Sequence, residues 1–135
     1  MPENNLSVEI LNLIGKPFVD GGRGPDAYDC WGLCVEVYRC FGIELPDYKI
    51  CCHDSEAFDK LYARDIQTRR RHDWPDVPTP AVLTIRFNSP KFVNHVGVYI
   101  GGGRFLHTRE KTGVVIERVD SMYWKHRIEG FYSQK

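Results

Sequence analysis

No run in this 135-residue sequence approaches the ~18 consecutive apolar residues of a membrane-crossing helix. No apolar core follows a basic start at the N-terminus either. The expectation is synthesis in the cytosol without a Sec signal and without a transmembrane segment. Release within a particle, or through a dedicated secretion machine, stays open. Net charge is missing as well, because 18 Lys+Arg balance 18 Asp+Glu. That argues against a nucleic-acid partner held by broad electrostatics, and the run Arg69-Arg70-Arg71 is expected to be a solvated helix end. There is no disulfide framework. Five cysteines are an odd number, and Cys51 and Cys52 are adjacent, which points to a reducing compartment. No CxxC pair occurs, so a structural zinc on Cys30, Cys34, Cys51, Cys52 and His53 is disfavoured. Gly101-Gly102-Gly103 has no helical pattern after it, which makes it a turn and not a phosphate cradle. These features imply no metal and no cofactor.

The remaining composition is that of an ordinary globular protein, with 42% hydrophobic and 27% charged residues. The length suits one domain over residues 1–135 with a core of its own. Leu6 to Ile14 predicts a short helix that stops at Gly15. Residues 15–28 are rich in glycine and form a loop. From Asp29 the spacing turns helical: Cys30, Leu33, Cys34, Val37, Tyr38 and Phe41 fall on one stripe. Asp29 is placed to cap this helix and Gly42 to end it. A second helix is capped at Asp54 or Ser55, turns Phe58, Leu61, Tyr62 and Ile66 inward, and stops before the prolines of 74–80. The period then falls to two. Strands are predicted at Val82–Phe87, Phe92–Ile100, Arg104–Arg109 and Val114–Val119, with another at Arg127–Tyr132. Helices followed by an antiparallel sheet make an α+β fold.

Cys30 stands where the glycine loop meets the helix. A helix start carries unpaired N–H groups and a positive dipole end, which favour thiolate over thiol. A cysteine nucleophile needs a base, and the base needs an orienting partner. His53, His72 and His126 lie in or near loops. His95 lies on a predicted strand, two residues from Gly97, whose missing side chain leaves a clearing that the start of the Cys30 helix is expected to fill. His107 lies on the next strand, as far after Gly101 as His95 lies before it, and so is expected opposite His95. The candidate catalytic set is Cys30, His95 and His107. The competing reading is a buried, inert cysteine and two structural histidines.

Four stretches resemble the NlpC/P60 family of papain-like cysteine peptidases: Gly15-Lys16-Pro17-Phe18-Val19-Asp20-Gly21-Gly22, Asp29-Cys30-Trp31-Gly32-Leu33, Asn94 to Gly101, and Arg104-Phe105-Leu106-His107. The resemblance implies a papain-like fold with the nucleophile at a helix N-terminus. It also implies hydrolysis of peptidoglycan stem peptides, usually between D-γ-glutamate and a diamino acid, with Cys30, His95 and His107 as nucleophile, base and orienter. Asp29, Trp31, Tyr28 and Phe18 take the places of substrate-binding positions. The family often has tyrosine at Phe18 and serine at Trp31; Tyr28 is the candidate to replace the missing hydroxyl, and Trp31 is expected to pack. Tyr28-Asp29-Cys30-Trp31-Gly32-Leu33 and the ending Arg127 to Tyr132 resemble the branch found in phage tails and phage-like gene-transfer particles, which implies tail proteins as partners. The alternatives are a thiol-dependent amidase or acyltransferase on the same fold, and an inactive structural tail component.

Overall fold

Asp29 ends the glycine loop and starts the central helix with a single carboxylate. Its Oδ1 accepts the Gly32 N–H at 2.7 Å and an Arg23 guanidinium N–H, also at 2.7 Å, while Oδ2 accepts the Gly21 N–H at 3.1 Å. The first pair is a helix N-cap; the others fasten the loop to it. In the computed structural model, which describes residues 7–48 and 54–134, this cap opens α2 (Cys30–Cys40). Gly42 follows the helix at φ +77°, the left-handed position that favours glycine. Gly32 has no room for a side chain: a Cβ would lie 2.1 Å from the Gly22 carbonyl oxygen, so loop and helix meet backbone to backbone.

A short helix, α1 (Val8–Leu11), precedes the loop, and α3 (Ser55–Asp65) follows α2. Asp54 caps α3 by accepting the Ala57 N–H. The strands are β1 (Arg69–His72), β2 (Ala81–Ile85), β3 (His95–Gly101), β4 (Arg104–Arg109), β5 (Gly113–Arg118) and β6 (Ile128–Gln134). They form one antiparallel sheet in the order β1-β6-β2-β3-β4-β5. No described helix is long and apolar enough to cross a membrane.

Alternation divides the sheet into two packed faces. Val82, Val96, Val98, Ile100 and Leu106 pack with α2 through Leu33, Cys34, Val37 and Tyr38. Leu83, Ile85, Tyr99, Phe105 and Phe131 pack on the other side with Val119 and Trp124.

Arg69-Arg70-Arg71 is not a helix end but the edge strand β1, paired with β6. Arg69 is buried, donates to Asp65 and Gln134, and lies 5.8 Å from the centre of the Trp31 ring. A charge can be buried when it is paired and bonded in this way. His72 likewise sits on β1, with Nε2 2.6 Å from Ser133 Oγ.

Candidate active site

Both strand histidines are fixed by β-sheet alternation. His95 is the first residue of β3, and His107 lies within β4. Val98 pairs with Leu106 and Tyr99 with Phe105, but Gly101 pairs with Arg104. Carried along the strands, this register centres the turn on Gly102 and not on Gly101, so His107 falls opposite Gly97 and His95 is its diagonal neighbour. The expected direct pairing is corrected in this respect. The two rings still meet, at 3.0 Å between His95 Nε2 and His107 Nδ1 and with ring planes 77° apart. Diagonal positions lie within reach of long or aromatic side chains.

The clearing at Gly97 also differs from expectation. A Cβ there would meet the Leu106 carbonyl oxygen at 2.9 Å, then Phe105 and Leu83. The space belongs to the sheet's own second core, and the Cys30 helix lies on the other face. Its contact with Gly97 runs through Cys34, whose Sγ is 3.4 Å from the Gly97 carbonyl oxygen. That thiol is fully buried, which pushes its pKa far up. Cys34 is thus a packing residue. Cys30 is 3% exposed at the first position of α2, at the positive end of the helix.

His107 is completely enclosed. Its ring lies edge-on to Trp124 at 4.7 Å between centroids and 5.3 Å from Phe105. Its Nε2 lies 3.3 Å from Glu117 Oε2 on β5. The sequence reading missed Glu117. A signal was present, because Phe105 pairs with Glu117 and His107 with Val115, so alternation puts His107 and Glu117 on one face.

Burial, then the neighbouring His107, then Arg109 push the His95 pKa well below the usual histidine value. Burial and Arg109 push His107 down as well. Both rings are therefore neutral near pH 7, with one donor and one acceptor nitrogen each. Because the unfolded chain takes up these protons near pH 6.5 and the folded chain resists them, stability is full above 6.5 and falls as pH drops below it. The expected loss is about 1.4 kcal/mol per pH unit for each histidine. Urea melts at pH 7.5, 6 and 5 measure it. His107→Asn should flatten the decline by about half, and an unchanged slope would mean that His107 is not held neutral.

A cleft of about 600 Å³ opens beside His95. Phe18, Phe87, Thr108, Arg109, Lys111 and Tyr123 are among its walls. The Arg109 guanidinium carbon lies 4.6 Å from the centre of the Phe87 ring. Of the residues expected to touch substrate, Phe18 lines this cleft. Asp29 is 3% exposed, with its oxygens committed to the cap and the loop. Trp31 is 6% exposed, donates its indole N–H to the Pro46 carbonyl at 2.9 Å, and packs on Tyr48. The Tyr28 phenol is packed under Gly24, where a Cβ would lie 2.5 Å from its hydroxyl. None of these three is among the residues lining the cleft. Among the described residues, no group of three His, Cys, Asp or Glu is placed to hold a metal; Cys51, Cys52 and His53 lie outside them.

Comparison with known proteins gives a consistent outcome. The model of the NlpC/P60 family matches residues 15–133. A probable endopeptidase p60 of Listeria grayi is 28% identical over 126 residues, which is 93% of this chain and 22% of that protein. The murein DD-endopeptidase MepS/murein LD-carboxypeptidase of Escherichia coli K12 is 29% identical over 108 residues, 79% of this chain and 50% of that protein. The chain thus spans half or less of the length of these relatives. A crystal structure of a lipoprotein-like NLP/P60 protein from Staphylococcus aureus superposes with a TM-score of 0.64 at 26% identity, covering 93% of this chain and 39% of that one.

Proposed function

As a chain that belongs to the NlpC/P60 family, this protein is, we propose, a cysteine endopeptidase that hydrolyses peptidoglycan stem peptides. The observation that carries the proposal is the bonded pair of neutral, buried histidines beside a cleft, in a fold that starts its central helix with a cysteine.

The chemistry follows from atom roles. His95 Nε2 is engaged with His107, so Nδ1 is the nitrogen that takes the proton from the Cys30 thiol. Sulfur attacks the scissile carbonyl carbon, and the C=O π pair moves onto oxygen. That oxyanion is stabilised at the positive end of α2, by the Cys30 backbone N–H. His95 returns the proton to the amide nitrogen, the C–N bond breaks, and the amine leaves. His95 then takes a proton from water, which attacks the thioester. The thiol is restored and the product is a carboxylate. Phe18 brings no hydroxyl to the cleft, so the backbone N–H carries the oxyanion without help from that position.

We assign the cut to the bond between D-γ-glutamate and the diamino acid. The family resemblance supports this assignment, and so do the cleft walls. Arg109 and Lys111 stand there against the single carboxylate of Glu110, and a γ-linked glutamate keeps its α-carboxylate free, three carbons from the scissile carbonyl. The test is digestion of a panel of purified muropeptides, with products read by mass spectrometry. A new diamino-acid N-terminus is expected. Cleavage confined to a D-Ala–diamino acid bond, or no cleavage of any muropeptide, would overturn the assignment or the activity.

Delivery by a phage tail or phage-like particle, with action in the periplasm or cell wall, is proposed on the sequence around Cys30 and on Arg127 to Tyr132. Co-sedimentation of the protein with purified particles is the expected result, and its recovery solely in the particle-free fraction would refute it.

A further inference from the structure

We propose that Glu117 is a positioning residue that sets the tautomers of both histidines and so aims the free lone pair of His95 at the thiol. The inference rests on the function proposed above and adds a fourth member to its proton relay.

The argument is one of donors and acceptors. A carboxylate only accepts hydrogen bonds. Glu117 Oε2 lies 3.3 Å from His107 Nε2, so that nitrogen must carry the hydrogen. A neutral imidazole has one N–H, so His107 Nδ1 is left as an acceptor. His107 Nδ1 lies 3.0 Å from His95 Nε2, so Nε2 is the nitrogen of His95 that carries hydrogen. His95 Nδ1 is then the acceptor, as a general base requires. Reversing the first bond reverses the whole chain: His107 would hold hydrogen on Nδ1, His95 Nε2 would have to accept it, and His95 Nδ1 would already bear the ring's one hydrogen and could not take the thiol's proton.

Three placements let a distant carboxylate exert this control. Glu117 reaches His107 diagonally across β4 and β5. His107 has no exposure to water, so solvent does not compete for Nε2. Trp124 and Phe105 hold the ring edge-on and tilted, which opposes a flip that would put a carbon where each nitrogen stands. Glu117 itself remains about one-third exposed, with a side-chain accessibility of 32%. It is not among the residues lining the cleft, and its bonded route to His95 runs through the His107 ring. It belongs to neither hydrophobic core cluster, so the fold is expected to survive its substitution.

The test reads tautomers directly. Ring-nitrogen NMR on the 15N-labelled wild-type protein at pH 7 is expected to show the hydrogen on Nε2 for both His95 and His107. Hydrogen on Nδ1 of His107 in the wild type would overturn the proposal whether or not muropeptides are cleaved. Glu117→Leu removes the acceptor at similar volume. It should populate the Nδ1–H form of His107 and lower kcat on the order of tenfold, with KM within about twofold, because the base is misaimed in only part of the molecules. Glu117→Gln keeps an acceptor oxygen and should recover most of kcat and the wild-type tautomers. Unchanged tautomers and unchanged kcat in Glu117→Leu would refute the role. A Glu117→Leu protein that fails to fold would contradict the claim that Glu117 is not needed for packing, and the wild-type tautomers would still decide the relay.

Discussion

Cys30→Ala is expected to abolish muropeptide cleavage, with a fall in rate on the order of 10⁴–10⁶ as the only nucleophile is removed. The loss is expected in kcat with substrate binding kept, because the walls of the cleft come from elsewhere in the chain. The folded state should survive. Cys30 is one small side chain at the first turn of α2, whose cap is made by Asp29, and the helix packs through Leu33, Cys34, Val37 and Tyr38. Cys30→Ser tests the same point more finely. A hydroxyl is far less acidic than a thiol, so His95 cannot activate it to the same degree. Parallel initial rates on one muropeptide, with far-UV circular dichroism as the folding control, measure both. A Cys30→Ala protein that cleaves at the wild-type rate would show that the thiol is inert packing, the competing reading of the sequence.

His95→Gln should lower kcat on the order of 10²–10⁴, the range for loss of a positioned general base. Glutamine is chosen because it occupies part of the ring's volume and keeps a hydrogen-bonding group near His107. The wild-type pH profile carries a second expectation. Burial, the facing His107 and the Arg109 charge all lower the His95 pKa, so the acidic limb of kcat/KM should lie below pH 6.5, the usual histidine value. Arg109→Gln removes a positive charge from the cleft wall and should move that limb upward. The sign is fixed: with less opposition to protonation, the base is lost at higher pH. An acidic limb that moves downward in Arg109→Gln would mean that Arg109 does not act on His95 through charge.

The parts of this site that local patterns encode were readable in advance. Asp29 before an apolar stripe gave the start of α2, and Gly42 its end. Strict alternation gave β4 with its observed bounds. What depends on pairing between strands was not readable. Equal spacing from Gly101 puts His95 opposite His107, but the strands pair about Gly102, which sets Gly97 opposite His107, and no local signal in a triple glycine fixes which of the three is the centre or where a bulge falls. Gly97 suggests space for the Cys30 helix only because period-two reasoning shows which residues share a face and not what covers that face. Trp124 and Phe105 cover it. The strand β1 was hidden by composition, since three arginines and a histidine lack the β-branched residues of a strand. Its place depends on β6 at the far end of the chain and on Asp65 and Gln134 beside Arg69. Glu117 was legible in principle, because pairing β4 with β5 puts it diagonal to His107. Recognising it required the register.

Labelling with a γ-D-glutamyl peptide that carries an electrophilic carbon in place of the scissile amide tests the central claim most directly. The five cysteines of the chain compete for the label within one molecule, and peptide mapping by mass spectrometry shows which one wins. The relay predicts one label per chain, on Cys30, slowed by excess stem peptide and lost in His95→Gln. Labelling of Cys34, Cys40, Cys51 or Cys52 in preference to Cys30, or labelling of Cys30 at the same rate in the His95 variant, would contradict it.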